Sequence, residues 1–101
     1  MISKGILYDA LCNLFTNADF NTYSRAEVAD GYYLTMSTRY HPSDWSVSLM
    51  KVTTDGDEHI EDFGLEGYYE SLCLLFQGDL DIIECLTTDI SEVIMRNEKE
   101  S

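Results

Sequence analysis

Helical spacing at both ends of the chain and alternating spacing between them predict an α+β fold: an N-terminal helix, a three- or four-stranded antiparallel sheet, and two C-terminal helices packed on one sheet face. Two Asp-Gly dipeptides inside the alternating stretch support this, because each supplies residues that tolerate the positive φ angles of a tight hairpin turn. With 101 residues, 45% of them hydrophobic and 12% aromatic, the chain has what acidic disordered segments lack. At this length roughly two-thirds of the unfolded surface can be buried in one core, so residues 1–101 are expected to form a single domain.

The first helix is expected over residues 3–17, where Ile6, Leu7, Ala10, Leu11, Leu14 and Phe15 recur at three- and four-residue steps behind Ser3 as N-cap. Polar, turn-prone residues 17–22 end it. A meander follows, with strands near 24–29, 32–40, 45–54 and 58–63, punctuated by Asp30-Gly31, by His41-Pro42-Ser43-Asp44 and by Asp55-Gly56. Along the second strand Tyr32, Leu34, Met36, Thr38 and Tyr40 share one face, and Tyr33, Thr35, Ser37 and Arg39 the other. In the third, Trp45, Val47 and Leu49 share one parity while Met50 and Val52 take the opposite one, which points to a bulge. The outer two strands are shorter and more charged, as edge strands often are.

Helical spacing returns over 67–77, where Tyr68, Tyr69, Leu72, Leu75 and Phe76 form a stripe and Gly78 is placed to end it. A last helix is expected over 80–96: on a helical wheel Ile83, Leu86, Ile90, Val93 and Ile94 fall within one arc of about 100°. Residues 82–86 are also compatible with a short strand, but the longer period favours the helix.

Charge is the chain's dominant signal. Nineteen Asp and Glu stand against six Lys and Arg, a formal net charge of −13. Residues 1–54 hold five acids and four bases, whereas residues 55–101 hold fourteen acids and two bases. Between Asp55 and Glu92 there are twelve carboxylates and no Lys or Arg. Unmixed acid weakens a compact state through self-repulsion, more so at low salt, so its retention calls for an explanation beyond an ordinary solvated face. Solubility is one such explanation. A surface that fits a basic site on another protein is the other.

Several function classes are excluded or disfavoured. Scattered bases at Lys4, Arg25, Arg39, Lys51, Arg96 and Lys99 make no patch for phosphates, so nucleic acid is not expected as a direct partner. Asp55-Gly56-Asp57-Glu58 suggests calcium, yet counting from Asp55 the sixth loop position, where an EF-hand needs Gly, is Ile60. His41 and His59 have no metal-ligand spacing, and Cys12, Cys73 and Cys85 form no CxxC pair, so neither metal nor cofactor is expected. Without a nucleophile elbow, a Cys-His signature or a phosphate loop, an enzyme is not expected either. An odd cysteine count, no leader-like start and no apolar run of membrane-spanning length predict a soluble cytoplasmic protein in a reducing compartment.

Carboxylates three or four residues apart on a helix lie about 5–6 Å from one another at Cβ. Those two apart on a strand lie about 6–7 Å from one another. Duplex DNA carries one charge per roughly 1.7 Å of axis, so acids on two helices and a turn can imitate a short length of its backbone. The expectation is an inhibitor that occupies the positively charged nucleic-acid site of a basic partner, a nuclease or its complex. Its expected contacts are Asp55, Asp57, Glu58, Glu61, Asp62, Glu66, Glu70, Asp81, Glu84, Asp89 and Glu92, with Tyr33 as an aromatic acceptor for Arg or Lys. In composition the chain resembles phage anti-restriction and anti-CRISPR proteins and the immunity proteins of toxin nucleases, with no motif to carry residues over. The alternative is an acidic chaperone or adaptor that holds a partner segment on an aromatic sheet face including Tyr33 and Trp45.

Overall fold

The computed structural model describes residues 3–16, 23–37, 45–64 and 81–100. They form an α+β fold in which a four-stranded antiparallel sheet lies between two helices in the sequence. The elements are α1 (Lys4–Thr16), β1 (Tyr23–Glu27), β2 (Tyr32–Ser37), β3 (Ser46–Thr53), β4 (Gly56–Gly64) and α2 (Asp81–Glu100), with sheet order β1-β2-β3-β4. The helix expected over 67–77, with Glu70 on it and Glu66 just before it, and the His41-Pro42 turn lie outside the described residues.

Ser3 caps α1 as its sequence suggests. Its Oγ accepts the Ile6 N–H at 3.2 Å, satisfying one of the donors that a helix leaves open at its start. The first hairpin turns on Asp30 (φ 54°) and Gly31 (φ 86°), closed by the Tyr32 N–H donating to the Ala29 carbonyl at 2.9 Å. Both central residues have the left-handed backbone of a type I′ turn, which Asp and Gly adopt more readily than other residues. The Val52 N–H then donates to the Gly31 carbonyl at 2.8 Å, tying this turn to β3.

At the second Asp-Gly the structure departs from expectation by one residue. Thr53 pairs with Gly56, so Thr54 and Asp55 occupy the turn and Gly56, at φ 121°, opens β4. The Thr53 hydroxyl donates to the Gly56 carbonyl, which fixes the exit of the turn. The expected bulge is also relocated. The register shifts between Leu49 and Met50, which pair with Glu61 and His59, so the extra residue is Ile60 of β4. Strand β3 alternates without interruption, and the changed parity of Met50 and Val52 places them on the sheet face away from the core.

One apolar core joins α1, α2 and one face of the sheet. It takes Leu7, Leu11 and Leu14 from α1, Leu34 and Met36 from β2, Val47 and Leu49 from β3, and Ile83, Leu86, Ile90 and Ile94 from α2. The five residues expected on the stripe of the last helix are all buried, whereas Glu84, Asp89 and Glu92 are exposed. Thr87, buried on the same helix, donates its hydroxyl to the Ile83 carbonyl at 2.7 Å, so burial leaves no unpaired donor there. Asn97 Nδ2 donates to the Tyr32 hydroxyl at 2.9 Å, pinning the C-terminal part of α2 to β2.

Candidate interaction surface on the acidic edge

Register and parity give each face of the sheet its membership. Tyr32, Leu34, Val47, Leu49 and Phe63 turn toward the helices; Arg25, Tyr33, Thr35, Ser48 and Met50 turn away. Adjacent Tyr32 and Tyr33 therefore point to opposite faces, as expected, yet both are buried, at 1% and 4% exposure. Chain groups cover each ring: Lys51 Nζ lies 4.9 Å from the Tyr32 centroid, and the Arg25 guanidinium 3.7 Å from that of Tyr33. Trp45 belongs to the core. Among the described residues Tyr23 is the aromatic side chain with broad exposure, at 57%.

Strand β4 holds most of the described candidate residues. Asp57 and Asp62 lie on the outer face, opposite Val52 and Ser48; Glu58 and Glu61 lie on the helix side, opposite Lys51 and Leu49. All four are exposed, as is Asp55 in the preceding turn. Their order follows from the bulge, because the extra residue Ile60 lets Glu61 and Asp62 continue the face pattern begun by Glu58 and Asp57 in reverse. No strand lies beyond β4 among the described residues.

The two outer carboxylates are anchored within the sheet. Asp57 accepts a hydrogen bond from the Tyr33 hydroxyl, and this raises the Tyr33 pKa above the ordinary phenol value. Asp62 Oδ1 accepts the Ser48 hydroxyl at 2.5 Å and lies 2.8 Å from His59 Nε2. The Ser48 bond first, and His59 second, hold the Asp62 carboxyl below its usual range. Ser48 and His59 both bond to Asp62 Oδ1, so among these three residues the hydroxyl meets the carboxylate rather than the imidazole. Arg25, with Nε donating to Glu27 at 2.6 Å, is held more firmly protonated chiefly by that bond.

Linkage gives opposite pH signs to these two groups. Asp62, with a lowered folded pKa, contributes stability above the unfolded carboxylate value near 4, lost as pH falls through the folded pKa; its exposure keeps the contribution small. Tyr33, with a raised folded pKa, contributes stability below the unfolded phenol value near 10, lost as pH rises through the folded pKa. Tyr33→Phe is accordingly expected to remove a phenol that ionises above pH about 10 and to flatten the alkaline limb of the stability profile. Ultraviolet phenol titration alongside thermal melts checks this, and a difference curve in which the lost phenol has the ordinary midpoint would show that Tyr33 has no such bond in solution.

The remaining candidates lie on α2. Asp81 opens it, and Glu84, Asp89 and Glu92 face outward. The fold also brings bases to acids that the sequence keeps apart. Lys51 pairs across the strands with Glu58, Lys4 lines one groove with Glu84, and Arg96 lines another of about 200 Å³ with Glu61, Ile60, Val93 and Asn97. Glu92 shares a third groove with Arg96 and Lys99. Among the described residues the candidate acids are thus divided between the β4 edge with its preceding turn and the exposed side of α2, with bases close to Glu58, Glu61, Glu84 and Glu92. Sequence reasoning missed Arg25, Ser48 and Lys51, and the hairpin register around Asp55 was the one signal able to place Lys51 beside Glu58.

Comparison with known proteins adds nothing to this geometry. No family model, curated protein or solved structure matches the chain. Among the described residues no three His, Cys, Asp or Glu side chains gather as a metal site, and no helix is long and apolar enough to cross a membrane. Cys12 is half-buried, with its thiol pushed up by burial and then by Asp9, whereas Cys85 is exposed on α2.

Proposed function

We propose that this protein is an acidic inhibitor that occupies the positively charged nucleic-acid site of a basic protein, a nuclease or its complex. The observation that carries the reading is strand β4, where Asp57, Glu58, Glu61 and Asp62 are all exposed, with Asp55 exposed in the turn before them. The four on the strand run from Asp57 to Asp62, five residue rises or about 17 Å of strand, so successive charges stand roughly 5–6 Å apart on average. A single DNA strand advances about 3.4 Å per phosphate, so the edge approaches the linear charge density that a phosphate-binding groove is built to accept. Glu84, Asp89 and Glu92 on α2 extend the negative field. Lysines and arginines of the partner would meet these groups in charge-assisted hydrogen bonds, with electrostatic steering of the encounter.

The adaptor alternative has less to rest on, because the Tyr33 ring is covered by Arg25 and Trp45 lies in the core. Competition at two ionic strengths tests the inhibitor reading. Basic DNA- and RNA-binding proteins held on the immobilised chain should be released by added duplex DNA and by raising salt from about 0.05 to about 0.5 M, where the screening length falls from roughly 14 to 4 Å. Retention that neither DNA nor salt disturbs would overturn it.

A further inference from the structure

Strand β4 offers more than charge. It is nine residues long, stands at the end of the sheet order, and has no strand on its far side among the described residues. An unpaired edge carries a row of backbone N–H and C=O groups that can template another strand. What such an edge admits depends on the side chains that would flank the newcomer.

Here those side chains are acidic on both faces of the sheet, with Asp57 and Asp62 outward and Glu58 and Glu61 toward the helices. A second copy of β4 would set carboxylates against carboxylates, and like charges directly opposite are destabilising. That arrangement protects the protein from pairing with itself. The same rule reverses for a segment rich in Lys and Arg, whose alternate residues would find acids on either side of the pleat. The bulge at Ile60 divides the edge into two four-residue runs, 56–59 and 61–64, so a short segment suffices to fill either one.

We infer that β4 binds an extended Lys/Arg-rich segment of the partner by adding it as a fifth strand, main-chain hydrogen bonds holding the segment and the flanking carboxylates selecting it. This rests on the proposed acidic-inhibitor reading and specifies how part of the partner is held. Strand addition of this kind separates the source of affinity, the backbone, from the source of specificity, the side chains.

The test uses a synthetic peptide with Lys at both odd and even positions, so that either face of the added strand presents ammonium groups, and the same peptide N-methylated at two adjacent central residues. Methylation blocks both hydrogen-bonding edges at the centre of the peptide and leaves its charge intact. The unmodified peptide is expected to bind the full chain at low salt at least ten-fold more tightly than the methylated one, and to slow hydrogen exchange at β4 amides. Equal binding by both peptides would overturn strand addition while leaving the acidic surface standing, since charge alone would account for it. Binding by neither would overturn both. Concentration-dependent self-association that protects the β4 amides without peptide would assign the edge to a second copy and overturn the basic occupant.

Discussion

Leu34→Ala is expected to cost about 2–5 kcal/mol of folding stability, the range for truncating a fully buried leucine whose surroundings relax only in part. Leu34 is 0% exposed, sits on the inner strand β2, and pairs with Ala26 on one side and Leu49 on the other, so neighbours fixed in the sheet cannot close over the space. Typical domains have roughly 5–15 kcal/mol in total, so this one change threatens the folded state itself. Val52→Ala provides the contrast. That side chain is 49% exposed on the outer face, and its truncation should stay within about 0.5 kcal/mol. Urea melts of the two variants check both, with a lower midpoint and an unchanged slope for Leu34→Ala. A midpoint equal to that of Val52→Ala would remove Leu34 from the core.

Both helices were legible because burial imposes one period on a long segment. Leu7, Leu11 and Leu14, and Ile83, Ile90 and Ile94, announce their stripes before any partner is known, and the cap at Ser3 needs only residues within one turn. Strand β2 was legible for the same reason, through Tyr32, Leu34 and Met36. Strand β4 was not: in Asp57-Glu58-His59-Ile60-Glu61-Asp62 neither face is apolar enough to mark parity, so the bulge could not be placed in it and was read into β3 instead. Turn chemistry was legible to within a residue. An Asp-Gly pair accepts positive φ at both positions, as at Asp30-Gly31, or gives only the glycine after a turn, as at Gly56, and the dipeptide alone does not choose. Charge along the chain was legible, but its neighbours in space were not. Arg25 covers Tyr33, and Lys51 faces Glu58, through pairings set by register.

The largest effect on binding is expected from the double variant Glu58→Lys, Glu61→Lys. These two are the informative pair on β4, because Asp57 and Asp62 also hold Tyr33, Ser48 and His59, and changing them would confuse binding with local structure. Glu58→Lys sets an ammonium opposite Lys51, a like-charge pair that costs about 0.2–1 kcal/mol and leaves the fold in place. Each lost charge-assisted contact is worth roughly 1.5–3 kcal/mol, so two together should weaken binding of a lysine-rich peptide at least about 100-fold at low salt. The difference should shrink as salt screens the wild-type edge. Glu84→Lys, Asp89→Lys, Glu92→Lys on α2 forms the second arm: its side chains point away from the core stripe, so stability should change little. If the β4 variant binds like wild type while the α2 variant does not, the surface belongs to the helix. If both bind like wild type, the acids serve solubility alone, since a charge that contacts a cation cannot be reversed at no cost.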